Sequence, residues 1–213
     1  MIISHSCNQI RIYDETTKMV NMTLAKAQWR RPGHSNRIFS LKFIDDQPDL
    51  LLSGGWDSNL HIWDLREGKS IDCIYGPEIS GDAIDYKDGA ILTGSCRRKD
   101  QIELWDFGTR KLLRTVDWEY GQQNETLNIY AAQFSKLSSQ YILACSSVTN
   151  EARVFDRKAD CMDFAKISGF SSGLYSVDWA PNQEMFAVAG GDGEVHILKF
   201  SEPNTEQKQA ENI

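Results

Sequence analysis

Apolar and polar residues alternate with a period of two over much of this chain, in runs of four to eight residues broken by Gly, Asp and Asn. Clear cases are Ile38-Phe39-Ser40-Leu41-Lys42-Phe43, Ile129-Tyr130-Ala131-Ala132-Gln133-Phe134 and Leu174-Tyr175-Ser176-Val177-Asp178-Trp179. This pattern predicts short β-strands. No stretch holds a 3.6-residue period through three turns, so helix is not expected.

The pattern repeats. Four segments end in an apolar-aromatic-Asp triplet: Ile12-Tyr13-Asp14, Ile62-Trp63-Asp64, Leu104-Trp105-Asp106 and Val154-Phe155-Asp156. Ile197-Leu198-Lys199 stands at a fifth such place without the aromatic or the Asp. Anchored on the aromatic, or on Leu198, the spacings are 50, 42, 50 and 43 residues. Each period opens with an alternating run and continues with an apolar run ending in small residues, as in Leu50-Leu51-Leu52-Ser53-Gly54 and Phe186-Ala187-Val188-Ala189-Gly190. A turn, the triplet strand and a fourth apolar segment complete it, so each period predicts four short antiparallel strands.

The segment Gly33-His34, Ser53-Gly54-Gly55-Trp56-Asp57 and Ile62-Trp63-Asp64 resembles the WD40 repeat, and the resemblance extends from Ile2 to about Phe200. It implies an all-β fold, a WD40-type β-propeller of four-stranded antiparallel blades. It also implies a buried hydrogen-bond relay of His34, Ser53, Asp57 and Trp63. The other repeats depart from the pattern. Gly81-Asp82 replaces Gly-His in the third, which keeps Thr93 and Trp105. The fourth carries Ser146 and Phe155, and the fifth Gly169-Phe170, Asp192 and Leu198. Hydrophobic packing is expected to hold those blades.

The expected organisation is a partial blade at about 2–24, blades at 38–75, 81–116 and 129–167, a partial blade at 174–200, and a polar, disordered tail at 201–213. The first blade would lack its inner strand and the last its outer strand. Such propellers commonly close with seven blades, about 28 strands, so these residues are expected to form the C-terminal 4.5 blades of a longer propeller, an incomplete, open ring. Open ends expose apolar blade faces and strand edges, so a partner that completes or caps the propeller is expected.

Composition narrows the chemistry. The chain has 213 residues, 41% hydrophobic, with a net charge of −7. An acidic chain is not expected to bind a nucleic-acid backbone, and five prolines exclude a linker. The longest apolar runs fall far short of the roughly 18 residues of a membrane span. No secretory signal is expected of Met1-Ile2-Ile3-Ser4-His5. Cys7, Cys73, Cys96, Cys145 and Cys161 include no Cys-x-x-Cys pair, so free thiols in a reducing, cytoplasmic setting are expected, with nuclear or cytoskeletal association left open.

Neither a zinc-protease nor a calcium motif occurs, and Gly190-Gly191-Asp192-Gly193 precedes a strand and reads as a turn. No catalysis, cofactor or metal is expected. His61 and His196 read as partly exposed strand residues.

Binding chemistry concentrates on the loops at one end of the blades. The candidates are Trp29, Arg30 and Arg31 in 25–37, Trp56, Arg97, Arg98 and Lys99, and Trp118 and Tyr120 in 117–126. Trp, Tyr and Arg on scaffold-held loops suit protein recognition. The basic clusters suggest an acidic or phosphorylated segment as partner; the alternative is that the tryptophans fold back over neighbouring blades. The expected function is a non-catalytic scaffold, a subunit or adaptor of a multiprotein complex. The alternative is a reader of peptide tails or chromatin; an enzyme would need carboxylates such as Asp82, Asp85 and Asp178 to converge on the central channel, but Asp commonly starts or punctuates such strands.

Overall fold

A computed structural model describes residues 2–5, 8–25, 32–118 and 127–199. Among these residues there are eighteen strands, in five antiparallel sheets, and no helix. The first sheet holds β1 (Ile2–His5), β2 (Gln9–Tyr13) and β3 (Val20–Leu24). The second holds β4 (Ile38–Ile44), β5 (Gln47–Gly55), β6 (Asn59–Asp64) and β7 (Lys69–Tyr75). The third holds β8 (Ile84–Lys87), β9 (Ala90–Gly94), β10 (Ile102–Asp106) and β11 (Leu112–Val116). The fourth holds β12 (Ile129–Phe134), β13 (Tyr141–Ser146), β14 (Glu151–Asp156) and β15 (Met162–Ile167). The fifth holds β16 (Leu174–Trp179), β17 (Met185–Gly190) and β18 (Val195–Lys199). Each sheet is an up-and-down meander in chain order. Among the described residues no strand of the fifth sheet pairs with the first, so the sheets form an open series of propeller blades.

Burial explains the pattern of the repeats. The second and third strands of the middle blades lie between neighbouring blades, and β9 is buried throughout. A strand covered on both faces reads as a continuous apolar run rather than an alternation. The fourth strands face outward, and Met162 and Phe164 on β15 are 67% and 51% exposed. Gly54 and Gly94 show why the second strands end in small residues. A Cβ on Gly54 would lie 2.7 Å from side-chain carbons of Ile79 and Ile84, and one on Gly94 would lie 2.6 Å from Ile129. The next blade occupies the space a side chain would need.

The Asp of each triplet closes the turn to the fourth strand. The Oδ1 atoms of Asp14, Asp64, Asp106 and Asp156 accept from the amides of Thr17 (2.6 Å), Arg66 (2.8 Å), Thr109 (2.6 Å) and Lys158 (2.8 Å). An Asp side chain stands in there for a backbone acceptor. The hydrogen bond from Arg66, foremost, holds the Asp64 carboxyl down at about 2. Asp192 in the fifth blade sits one turn earlier, before β18, and makes the same kind of bond to Glu194.

Candidate functional site

His34 lies in the segment leading into β4, Ser53 lies on β5, Asp57 in the β5–β6 turn and Trp63 on β6. Folding brings the four side chains together. His34 Nδ1 lies 2.9 Å from Asp57 Oδ2, His34 Nε2 lies 2.7 Å from Ser53 Oγ, and Trp63 Nε1 donates to Ser53 Oγ at 2.7 Å. The Ser35 amide donates to Asp57 at 2.8 Å. A proton on His34 Nδ1 is donated to Asp57, and Ser53 Oγ, which accepts from Trp63, completes the relay at Nε2. Burial alone would raise the Asp57 carboxyl; the hydrogen bond and charge of His34 and the Ser35 and Asn59 amides outweigh it, and the net shift is downward. This buried chain of bonds ties four segments of one blade together.

His61 stands two residues before Trp63 on the same strand face. It is 3% exposed, not partly exposed as its place on a strand suggested. Its ring meets His34 edge-on with centroids 4.5 Å apart, and its Nδ1 lies 2.9 Å from Ser70 Oγ. Desolvation first, and then the charge of His34, push it down to about 4, against the opposing pull of Asp57. Donor atoms of His34, Asp57 and His61 lie within 4.8 Å of one another. Both nitrogens of His34 are already engaged, however, and a cation there would have to break the relay.

Elsewhere the network is reduced. In the third blade Trp105 Nε1 donates to Thr93 Oγ1 at 3.0 Å. In the fourth, Ala144, not Ser146, pairs with Arg153 at the place where Ser53 pairs with His61. Ser146 lies two residues on, and its Oγ accepts from the Val148 and Thr149 amides. Phe155 there has no proton to donate. The positions equivalent to His61 are Glu103, Arg153 and His196. Glu103 pairs with Arg97 and Arg153 with Asp163, so a buried polar side chain is tolerated there once it finds a partner. His196 is only half-buried.

The expected binding face divides. Trp56 is 43% exposed; its ring lies 4.7 Å from that of Phe39, with the Arg37 guanidinium 5.5 Å from its centre. Arg98 and Lys99 are exposed. The two turns flank one connection, in which Ile79 N donates to Gly55 O and Cys96 N donates to Glu78 O. Arg97 does not present its charge freely, because its guanidinium is held by Glu103 and the Asp100 carbonyl. Trp118 is not on the face: it is 7% exposed, packed 6.0 Å from Phe155 under the Arg153 guanidinium. An indole beside an apolar blade surface gains more from burial than from solvent contact. Trp29, Arg30, Arg31 and Tyr120 lie outside the described residues.

Three aromatic residues at this end escape a reading by residue type. Phe39, Tyr130 and Tyr175 are the extra residues of β-bulges, lying between the paired positions Ile38 and Ser40, Ile129 and Ala131, and Leu174 and Ser176. A bulge re-aims its side chain. The available signal was their common offset, one residue past the first apolar residue of each inner strand. Asp82 occupies the corresponding end of the third blade, accepting from Ser40 Oγ at 3.1 Å.

Comparison with known proteins agrees with this geometry. A family model described as WD domain, G-beta repeat matches residues 26–64 and 163–198. The chain is similar to the protein transport protein SEC31 of Dictyostelium discoideum, 23% identical over 166 residues, covering 74% of this chain and 12% of that protein. It is also similar to the ribosome biogenesis protein WDR12 homolog of Drosophila mojavensis, at 20% over 180 residues, 83% of this chain and 40% of that protein. Elongator complex protein 2 of Danio rerio is 26% identical over 133 residues, 57% of this chain and 15% of that protein. The chain thus spans well under half the length of each of these relatives. Its repeated four-strand blades, its aromatic-Asp turns and the two matched segments make this chain similar to the WD40 repeat family.

Proposed function

We propose that this chain is a non-catalytic scaffold that holds other proteins at the end of the blades where the Trp56 and Arg98 turns open, as a subunit or adaptor of a larger assembly in the cytoplasm. The observation that carries the reading is the exposed Trp56 indole, held by Phe39 and Arg37 at the same end of the blades as exposed Arg98 and Lys99. A half-exposed aromatic with exposed cations at the same end of the blades is the composition of an interface hot spot. Arg98, Lys99 and Arg37 suit an acidic or phosphorylated segment. The relatives are named for protein transport, ribosome biogenesis and a complex. The opposite end offers a groove lined by Leu50, Arg66, Ile71, Phe107 and Arg110. Its two arginines are paired, with Asp64 and Asp72.

The test is quantitative affinity capture from native lysate. The double variant Trp56→Ala with Arg98→Glu is expected to lose specific partners at least about tenfold, as hot-spot truncations do, while Ile71→Ser at the opposite end retains them. Equal capture by wild type and the double variant, with equal circular dichroism, would contradict the proposal.

The reading of peptide tails has its own supporting observation in Asp82, beside which the Tyr130 ring packs.

A further inference from the structure

We infer that the bulged aromatics Tyr130 and Tyr175, with the carboxylate of Asp82, form a receptor for a cationic side chain presented on an extended peptide. The inference rests on the protein-binding reading above and names the ligand chemistry at one place on the same end of the blades.

The aromatic part is built by backbone irregularity. The extra residue in β4, β12 and β16 turns its side chain out of the regular alternation. Tyr130 and Tyr175, from adjacent blades, meet edge-to-face with centroids 5.0 Å apart, and Tyr175 is 44% exposed. In that arrangement the edge of one ring covers one face of the other, and a cation would take a remaining face. Gly81 lets the ring reach the acid. A Cβ there would lie 2.2 Å from the Tyr130 carbonyl oxygen and 2.4 Å from a ring carbon, so Tyr130 rests on the backbone directly before Asp82. The Ala132 amide donates to the Asp82 carbonyl at 3.3 Å and fixes this segment to the fourth blade.

The electrostatic part is a shortage of cations. Lys42 pairs with Asp85 at 2.7 Å, and Lys136 with Asp178 at 2.6 Å. Asp82 is left with the Ser40 hydroxyl and no ion pair among the described residues. Desolvation, first, and the like charges of Asp85 and Asp178 raise its carboxyl, against the Ser40 hydrogen bond and the charge of Lys42. Asp82 nonetheless belongs to an exposed residue, within reach of a ligand. A cation placed there would relieve the repulsion, and its hydrocarbon stem would lie on the tyrosine faces. An ammonium and a guanidinium share this chemistry. An anionic or purely apolar side chain meets the same carboxylate without compensation.

The experiment titrates the full chain, isotopically labelled on its tyrosine rings, with short Gly/Ser/Ala peptides carrying one central Lys, Arg, norleucine or Glu. The Lys and Arg peptides are expected to shift the Tyr130 and Tyr175 ring resonances, and the norleucine and Glu peptides to leave them in place. Asp82→Asn is expected to weaken binding about tenfold and Tyr175→Ala by a comparable factor. Asp72→Asn, which removes the same charge from an outer strand, should have no such effect, separating a local contact from net charge. Equal shifts by Lys and norleucine peptides, no shift with any peptide, or equal weakening by Asp82→Asn and Asp72→Asn would overturn the inference. If the cation-selective shifts fail while protein capture still depends on Trp56, this inference falls and the scaffold reading stands. If capture also ignores Trp56, that wider reading has failed too.

Discussion

Asp57→Ala is expected to destabilise the protein by about 3 kcal/mol, because the loss leaves His34 Nδ1 and the Ser35 and Asn59 amides without their acceptor, at about 1–3 kcal/mol for each group that stays buried. In a chain of this size that corresponds to a fall of about 6–12 °C in the unfolding midpoint. The effect should spread beyond the turn, since a His34 freed from Asp57 no longer holds Ser53, which in turn orients Trp63. Asp57→Asn keeps an acceptor and should cost less. The informative comparison is Asp192→Ala, at the same turn position of the fifth blade. Asp192 serves one exposed amide at 3.0 Å and a His196 nitrogen at 3.4 Å, so its loss should cost under about 1 kcal/mol. Thermal unfolding of both variants checks this; equal losses would show that the relay contributes no more than an ordinary turn.

Acid should weaken the second blade through His61. In the folded protein this imidazole is held down to about 4, against 6.5 for an unburied one. Between those values the unfolded chain binds a proton that the folded chain refuses, so stability falls as pH drops from about 6.5 towards 4. Below that the group contributes no further change. The shift corresponds to about 3 kcal/mol over the window. The lowered Asp57 carboxyl acts in the same direction, but only below the ordinary carboxylate range, so the two windows are separate. Urea unfolding of wild type and His61→Gln at pH 7 and pH 4.5 reads the effect: the wild type should lose about 2–3 kcal/mol more than the variant over that interval. Parallel losses would place the acid sensitivity elsewhere.

What could be read from the amino acids follows from which interactions are local. The triplets at Asp14, Asp64, Asp106 and Asp156 are legible because each Asp binds amides two or three residues away. The small residues ending the second strands are legible because Gly54 and Gly94 leave room for the next blade, and every period repeats that need. His34, Ser53, Asp57 and Trp63 stand out through a recurrent pattern, not through their spacing, which places them 19, 23 and 10 residues apart along the bonded chain. Ser146 was misplaced because a two-residue offset in register cannot be seen without the partner strand. Trp118 and His61 look more exposed from the sequence than they are, because their burial depends on a neighbouring blade or the adjacent relay. The bulged Phe39, Tyr130 and Tyr175 look like ordinary members of an alternation until pairing shows the extra residue.

Hydrogen exchange of the chain with and without its captured protein partner tests the central claim, recognition at one end of the blades, most directly. The account predicts slowed exchange in 37–40, 54–58 and 95–100, around Arg37, Trp56 and Arg98, with no change in 64–72 and 106–112 around Arg66 and Arg110. Protection confined to the latter segments would contradict it.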